Sequence, residues 1–131
     1  METYGAEWTQ TSDIRLKTNI QDDSLGLDFI CKLRPVTFNW KPSNEVPEEL
    51  TTMYTKEGDT RNTKETIHGL IAQEVENVIP EVVLDGGEYK SVSYGNIVGL
   101  LIEAVKEQQE QINTLKQTVE ELSTKLADCC S

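Results

Sequence analysis

Two patterns in this chain of 131 residues predict an α+β protein, mainly helical. A long heptad repeat fills its last third, and short alternating apolar segments bounded by turn residues come before it. From about Tyr94, the residues Val98, Leu101, Val105, Gln108, Ile112, Leu115, Val119, Leu122, Leu126 and Cys129 step by three and four, with no glycine or proline after Gly99. A stripe this narrow would leave its apolar surface in water on a lone chain, so it predicts a coiled coil and therefore an oligomer. β-Branched residues at the first heptad position with leucine at the fourth favour parallel dimers, whereas a buried Gln108 could shift register or strand number. The heptads alone leave dimer against trimer open.

The remaining elements follow in chain order. Residues 1–11 are polar and aperiodic, as expected of a linker or the end of an upstream structure. Leu25, Phe29, Ile30 and Leu33 recur at helical spacing, with Asp22, Asp23 or Ser24 as caps and Pro35 beyond the end, which predicts a short amphipathic helix over 24–33. Val36-Thr-Phe-Asn-Trp40 alternates apolar and polar residues and is closed by Pro42, so a half-buried strand is expected. Residues 42–66 are rich in Thr, Glu, Asp, Asn and Lys and cannot bury themselves. They read as a mobile loop or as an arm that orders against a partner. In the segment from Ile67 to Pro80, Leu70, Ile71, Val75, Val78 and Ile79 make one apolar face and predict a core helix. Val82-Val-Leu84 and Tyr89-Lys-Ser-Val92 flank Asp85-Gly-Gly87, whose glycines supply the positive backbone angles of a hairpin. The chain thus divides into an upstream remnant (1–11), a small globular domain with short antiparallel strands (12–94, including the insertion 42–66) and a C-terminal helix (95–131).

Composition removes several function classes. The net charge of -11, from 23 acidic against 12 basic side chains, repels phosphate backbones, so no nucleic-acid partner is expected. No apolar run approaches the roughly 20 residues that span a bilayer, and the acidic start lacks a signal-peptide pattern. A soluble chain with no membrane partner is expected. Cys31, Cys129 and Cys130 contain no CxxC pair and His68 has no cysteine near it, so neither a metal site nor a disulfide framework is predicted, and no cofactor motif is present. A reducing compartment fits best, although the tail pair could cross-link neighbouring chains after oxidation.

The chemistry sits in Ser12-Asp-Ile-Arg-Leu-Lys17. A serine hydroxyl and an unprotonated lysine amine suffice to cut a peptide bond, provided burial or nearby positive charge lowers the lysine pKa from about 10.4. The structural alternative is a helix start in which Thr11 or Ser12 caps and Asp13 pairs with Lys17. Residues five apart lie about 140° apart on a helix of ~3.6 residues per turn and on opposite faces of a strand. Ser12 and Lys17 can therefore meet only across a turn or between chains. Elsewhere, His68 is expected to open a helix, Gln73 and Glu74 to serve packing or helix-end bonding, and Phe38 and Trp40 to be core.

Five blocks give the pattern a wider context: Ser-Asp-Ile-Arg-Leu-Lys-Thr-Asn-Ile from Ser12, Leu-Arg-Pro-Val-Thr-Phe-Asn-Trp at 33–40, His-Gly-Leu-Ile-Ala-Gln-Glu-Val at 68–75, Ile-Pro-Glu-Val-Val at 79–83, and Val-Ser-Tyr-Gly-Asn-Ile-Val-Gly-Leu-Leu-Ile-Glu-Ala-Val-Lys-Glu at 92–107. In this order they resemble the self-cleaving C-terminal intramolecular chaperone domain of phage tailspikes, tail fibres, neck appendages and endosialidases, from Ser12 to about Leu122. The resemblance implies a parallel trimeric coiled coil, so three strands where the heptads lean to two. It implies a protruding arm at 42–66 that grips an upstream β-helical stalk of the same polypeptide. It puts the catalytic serine and lysine on Ser12 and Lys17, with a single self-cleavage at the Ser12–Asp13 junction. In cis, Ser12 attack on the Thr11 carbonyl passes through a five-membered ring, whereas attack on its own carbonyl needs a strained four-membered one, and attack from another chain removes that restriction. Asp13 could orient the site or act as an ordinary cap. Such a domain works in the host cytoplasm during virion assembly and leaves the mature fibre after cleavage. Two alternatives are a trimeric attachment tip that never cleaves and the related domain of myelin regulatory factor-like self-cleaving proteins.

Overall fold

The computed structural model of the chain describes residues 10–50 and 63–130. Most of the upstream segment 1–11, and residues 51–62 of the expected arm, therefore lie outside the described residues. The architecture is mainly helical, with a long C-terminal helix and two small antiparallel strand pairs.

The first helix is shorter than its periodicity predicts. α1 covers Leu27–Ile30, starts after Gly26 and ends at Cys31. Gly26 is buried against the long helix, where a Cβ would come within 2.4 Å of Glu107 Oε1. That close approach lets the Leu27 N–H donate to Glu107 Oε2 at 3.0 Å, so a carboxylate from a distant turn satisfies one of the free amides of α1.

β1 (Val36–Phe38) pairs antiparallel with β2 (Ile67–Gly69), matching Val36 to Gly69, Thr37 to His68 and Phe38 to Ile67. This corrects the helix expected from Ile67. The backbone remains extended through Ile71, and the helix α2 spans only Ala72–Glu76. The segment carries two overlapping signals: Ile67, His68 and Gly69 alternate half-buried, exposed, half-buried as a strand does, while the apolar residues from Leu70 fall at helical spacing. Residues 39–66 thus leave and re-enter the body beside each other, and Asn39 Nδ2 donates to the Glu65 carbonyl at 2.8 Å where they meet. The described first part of this insertion forms two short 3-10 turns, Ser43–Glu45 and Glu48–Leu50.

The expected hairpin is present as β3 (Val83–Leu84) and β4 (Ser91–Val92), each shorter than the apolar runs flanking the turn, but neither Gly86 nor Gly87 takes the positive φ expected of it. Lys90 closes it from outside, paired with Glu76 on α2 and with Asp85 at 3.4 Å. α3 then runs as one helix over Tyr94–Cys129. Its entry is fixed by two bonds: Ser93 N–H donates to the Val82 carbonyl at 2.7 Å, and Leu70 N–H donates to the Tyr94 hydroxyl at 3.0 Å.

The core forms where α2 and the turn after it meet the first turns of α3: Val75, Ile79, Val82, Ile97 and Leu100 are buried, with Leu25, Phe29, Ile30 and Leu33 packed against them. Phe38 and Trp40 make an edge-to-face pair at 5.0 Å, but Trp40 is 39% exposed and is not a core residue. The inner face of α3 is Ile97, Leu100 and Ala104. The heptad stripe is a different face, rotated by about 100° from Ile97 to Val98. Along it Val98, Leu101, Val105, Ile112, Leu115, Val119, Leu122 and Leu126 are all exposed, the last at 69%.

Candidate functional site

Ser12 and Lys17 meet across a tight turn. Residues Ile14–Leu16 form a single 3-10 turn, Asp13 caps it with its carboxylate accepting from Arg15 N–H at 2.9 Å, and Lys17 ends it in extended conformation. A 3-10 turn closes in about three residues, and the extended Lys17 then reverses toward the residue before the cap. Lys17 Nζ donates to Ser12 Oγ at 2.6 Å. Neither a regular helix nor a strand would allow this contact at a spacing of five.

The pairing expected between Asp13 and Lys17 is replaced by one between Asp13 and Arg15. The Arg15 guanidinium donates to both carboxylate oxygens, Nε to Oδ1 at 3.0 Å and its terminal nitrogen to Oδ2 at 2.8 Å. These bonds hold the Asp13 carboxyl below its ordinary pKa range and raise that of Arg15. Because Asp13 is occupied in this way, Lys17 is left to Ser12. Sequence reasoning gave Arg15 no part; the signal was there in the two-residue spacing of Asp13 and Arg15, which suits a capped turn.

The whole turn is exposed. Ile14 is 72% exposed, Leu16 74% and, just past Lys17, Ile20 62%, so three apolar side chains of this segment stand largely in solvent. Just past it, Asn19 adopts φ 53°, a left-handed conformation that asparagine accepts more readily than most residues. Two shallow depressions among the described residues lie elsewhere, one over the β1–β2 ladder and one along α3 at Glu107–Leu115.

The other sequence candidates do not join this site. His68 sits mid-strand in β2 opposite Thr37 and is exposed, so it does not open a helix. Glu74 on α2 is held by Arg34 in a two-pronged pair, both bonds 3.0 Å, which ties α2 to the segment leading into β1. Gln73 is exposed on the same helix. Among the described residues, the side chains of Ser12 and Lys17 hydrogen-bond only to each other. No helix among those residues is long and apolar enough to cross a membrane.

Comparison with known proteins gives the family of the chain. The family described as chaperone of endosialidase, a peptidase family, matches residues 12–84, beginning at Ser12 itself and running through the hairpin strand β3. The long tail fiber protein Gp37 of Enterobacteria phage M1 is 31% identical over 121 residues, covering 88% of this chain. The chain spans 41% of the length of that protein. With more than half of its residues inside the matched region, and with the match opening on the Ser12 turn, the chain belongs to the chaperone of endosialidase family.

Proposed function

We propose that this is the trimerising intramolecular chaperone of a phage fibre, which guides folding of an upstream β-helical stalk and then releases itself by cutting the Ser12–Asp13 bond. The observation that carries the reading is the 2.6 Å bond between Lys17 Nζ and Ser12 Oγ at the first residue of the family match. Likeness to a long tail fiber protein supports the fibre as client.

In the proposed reaction, neutral Lys17 takes the Ser12 hydroxyl proton, and Oγ attacks the Ser12 carbonyl carbon of a neighbouring chain. The tetrahedral intermediate expels the Asp13 amine, which receives the proton from Lys17. An ester joins the two serines, and water hydrolyses it to free both chains. Lysine serves as a base only when desolvation disfavours its charge. The exposed apolar side chains of Ile14, Leu16 and Ile20 are where a neighbouring chain would dock and exclude water. Cleavage is thereby coupled to assembly: the exposed turn of a lone chain stays uncut, and a correctly built trimer cuts.

The stripe on α3 supplies that trimer, raising the local concentration of the two partner chains during a slow, non-local search for register. The insertion 42–66, which leaves the body between β1 and β2, is the arm that holds the client. Removal of the guide after folding takes away its contribution to unfolding and makes the fibre kinetically stable. The domain acts in the host cytoplasm during virion assembly and is absent from the mature fibre. The test is expression behind the native upstream segment with and without Ser12→Ala. The wild type should split into two bands and the variant should not; equal full-length bands would sink the protease and leave a non-cleaving trimeric tip.

A further inference from the structure

We propose that Arg15 is a positioning residue for self-cleavage: by holding the Asp13 carboxylate it keeps that carboxylate off Lys17, and so lets Lys17 give up its proton and act on Ser12. The inference rests on the Ser12–Lys17 reading above and deepens it.

The turn gathers three charged side chains beside one hydroxyl. Lys17 Nζ donates to Ser12 Oγ at 2.6 Å, and the next residue along the chain is Asp13. A carboxylate beside a lysine favours the charged amine, which has no lone pair to take the serine proton. Asp13 stands four residues before Lys17, a spacing at which an acid and a lysine pair on a helical turn. The Arg15 fork prevents that pairing, with Nε on Oδ1 at 3.0 Å and the terminal nitrogen on Oδ2 at 2.8 Å. Protonation does not remove the negative charge instead, because the same bonds hold the Asp13 carboxyl below its ordinary range.

No residue of the turn Ile14–Leu16 is buried, and among the described residues the charged groups beside Lys17 are Asp13 and Arg15 of its own turn. The next acids along the chain are Asp22 and Asp23, and Asp23 already accepts from the Leu25 N–H at 2.8 Å. Charge around Lys17 is thus set by two side chains that cancel. Removing Arg15 alone leaves one uncompensated carboxylate, and removing that carboxylate as well restores the balance. Such charges interact more strongly once a docked neighbour excludes water.

The fork is not what builds the turn. Asp13 Oδ1 also accepts from the Arg15 backbone N–H at 2.9 Å, and this cap survives truncation of the side chain. The Arg15 side chain is 85% exposed, where an ion pair adds little to stability.

The experiment uses the fibre-length protein with Ser12 introduced as a photocaged serine, so that assembly is complete before light releases the hydroxyl. Cleavage rates are then read on gels from about pH 6 to about pH 11, which spans the ordinary lysine range. The wild-type rate should climb to a plateau as Lys17 becomes neutral. Arg15→Ala should move the half-maximal pH up by about one unit, the low end of what an adjacent opposite charge does, and slow cleavage about tenfold on the rising limb. Adding Asp13→Asn, which keeps the capping oxygen, should bring the half-maximal pH back to that of the wild type. A lower plateau at an unmoved half-maximal pH would make Arg15 merely structural and overturn the proposal. A double variant that keeps the profile of Arg15→Ala would show that Arg15 does not act through Asp13, and would also overturn it. If Arg15→Ala is uncut at every pH, the double variant decides: cutting with the wild-type profile supports the proposal, and no cutting overturns it. A wild type that stays whole after light at every pH would remove the protease reading itself, and the role of Arg15 with it.

Discussion

Replacing Leu122 by aspartate should dissociate the assembly while leaving the globular domain folded. Leu122 is 60% exposed on the single chain. Covering a leucine fully is worth about 1.5–3 kcal/mol, so covering what Leu122 exposes recovers about 1–2 kcal/mol per chain. Three chains lose that term together, about 3–6 kcal/mol per trimer, and three carboxylates would face one another across the seam. Association weakens by roughly two to four powers of ten before charge repulsion is added. The site lies 18 residues past Ala104, the last buried residue of α3, or about 27 Å along the helix, so the core around Val75 and Ile79 is untouched. Thr124→Asp, two residues on and on the outer face at heptad position f, is the control. Sedimentation equilibrium should give three times 14.8 kDa for the wild type and for Thr124→Asp, and a smaller mass for Leu122→Asp. Equal masses for Leu122→Asp and the wild type would refute the assignment of this stripe to the interface.

Two further perturbations test how the domain is held together. Gly26→Ala should displace the Glu107 carboxylate from the Leu27 amide, because the new Cβ would sit 2.4 Å from Oε1. Losing a charge-assisted bond of this kind costs about 1–3 kcal/mol, and urea denaturation should show that adding Glu107→Ala to Gly26→Ala costs less than it does in the wild type. Additive effects would show that the two residues do not act through one contact. Lys90 has its pKa raised, chiefly by Glu76 and then by Asp85. Its contribution is therefore fully present below the unfolded value of about 10.4 and is lost as pH rises through the higher folded value. The stability gap between wild type and Lys90→Met should stay constant from neutral pH up to the unfolded value and shrink as pH rises past it; a gap that does not shrink on the alkaline side would exclude the pairing as its cause.

Most of α3 was legible because its signal is repeated. Ten residues at spacings of three and four outweigh any local ambiguity, and Tyr94 marks the helix start in both sequence and structure. The inner face of Ile97, Leu100 and Ala104 was not read, since the heptad pattern through Val98, Leu101 and Val105 absorbed the same turns. β2 was missed for a related reason: its three residues are too few to outweigh the helical spacing that begins at Leu70. The bonds from Tyr94 to Leu70 and from Glu107 to Leu27 join residues far apart in sequence, and no local pattern predicts them. At the candidate site, the residue types and the need for a turn were readable. The geometry was not, because it depends on Arg15 taking Asp13 and so leaving Lys17 to Ser12.

The central claim is that Ser12 and Lys17 cut the chain at one bond. Intact-mass measurement of the C-terminal fragment released from the fibre-length protein tests it most directly, with Lys17→Arg as partner because arginine keeps the charge and stays protonated. The account predicts a fragment whose mass begins at Asp13 in the wild type, and an uncut but still trimeric protein for Lys17→Arg. A fragment beginning elsewhere, or cleavage that survives Lys17→Arg, would contradict it.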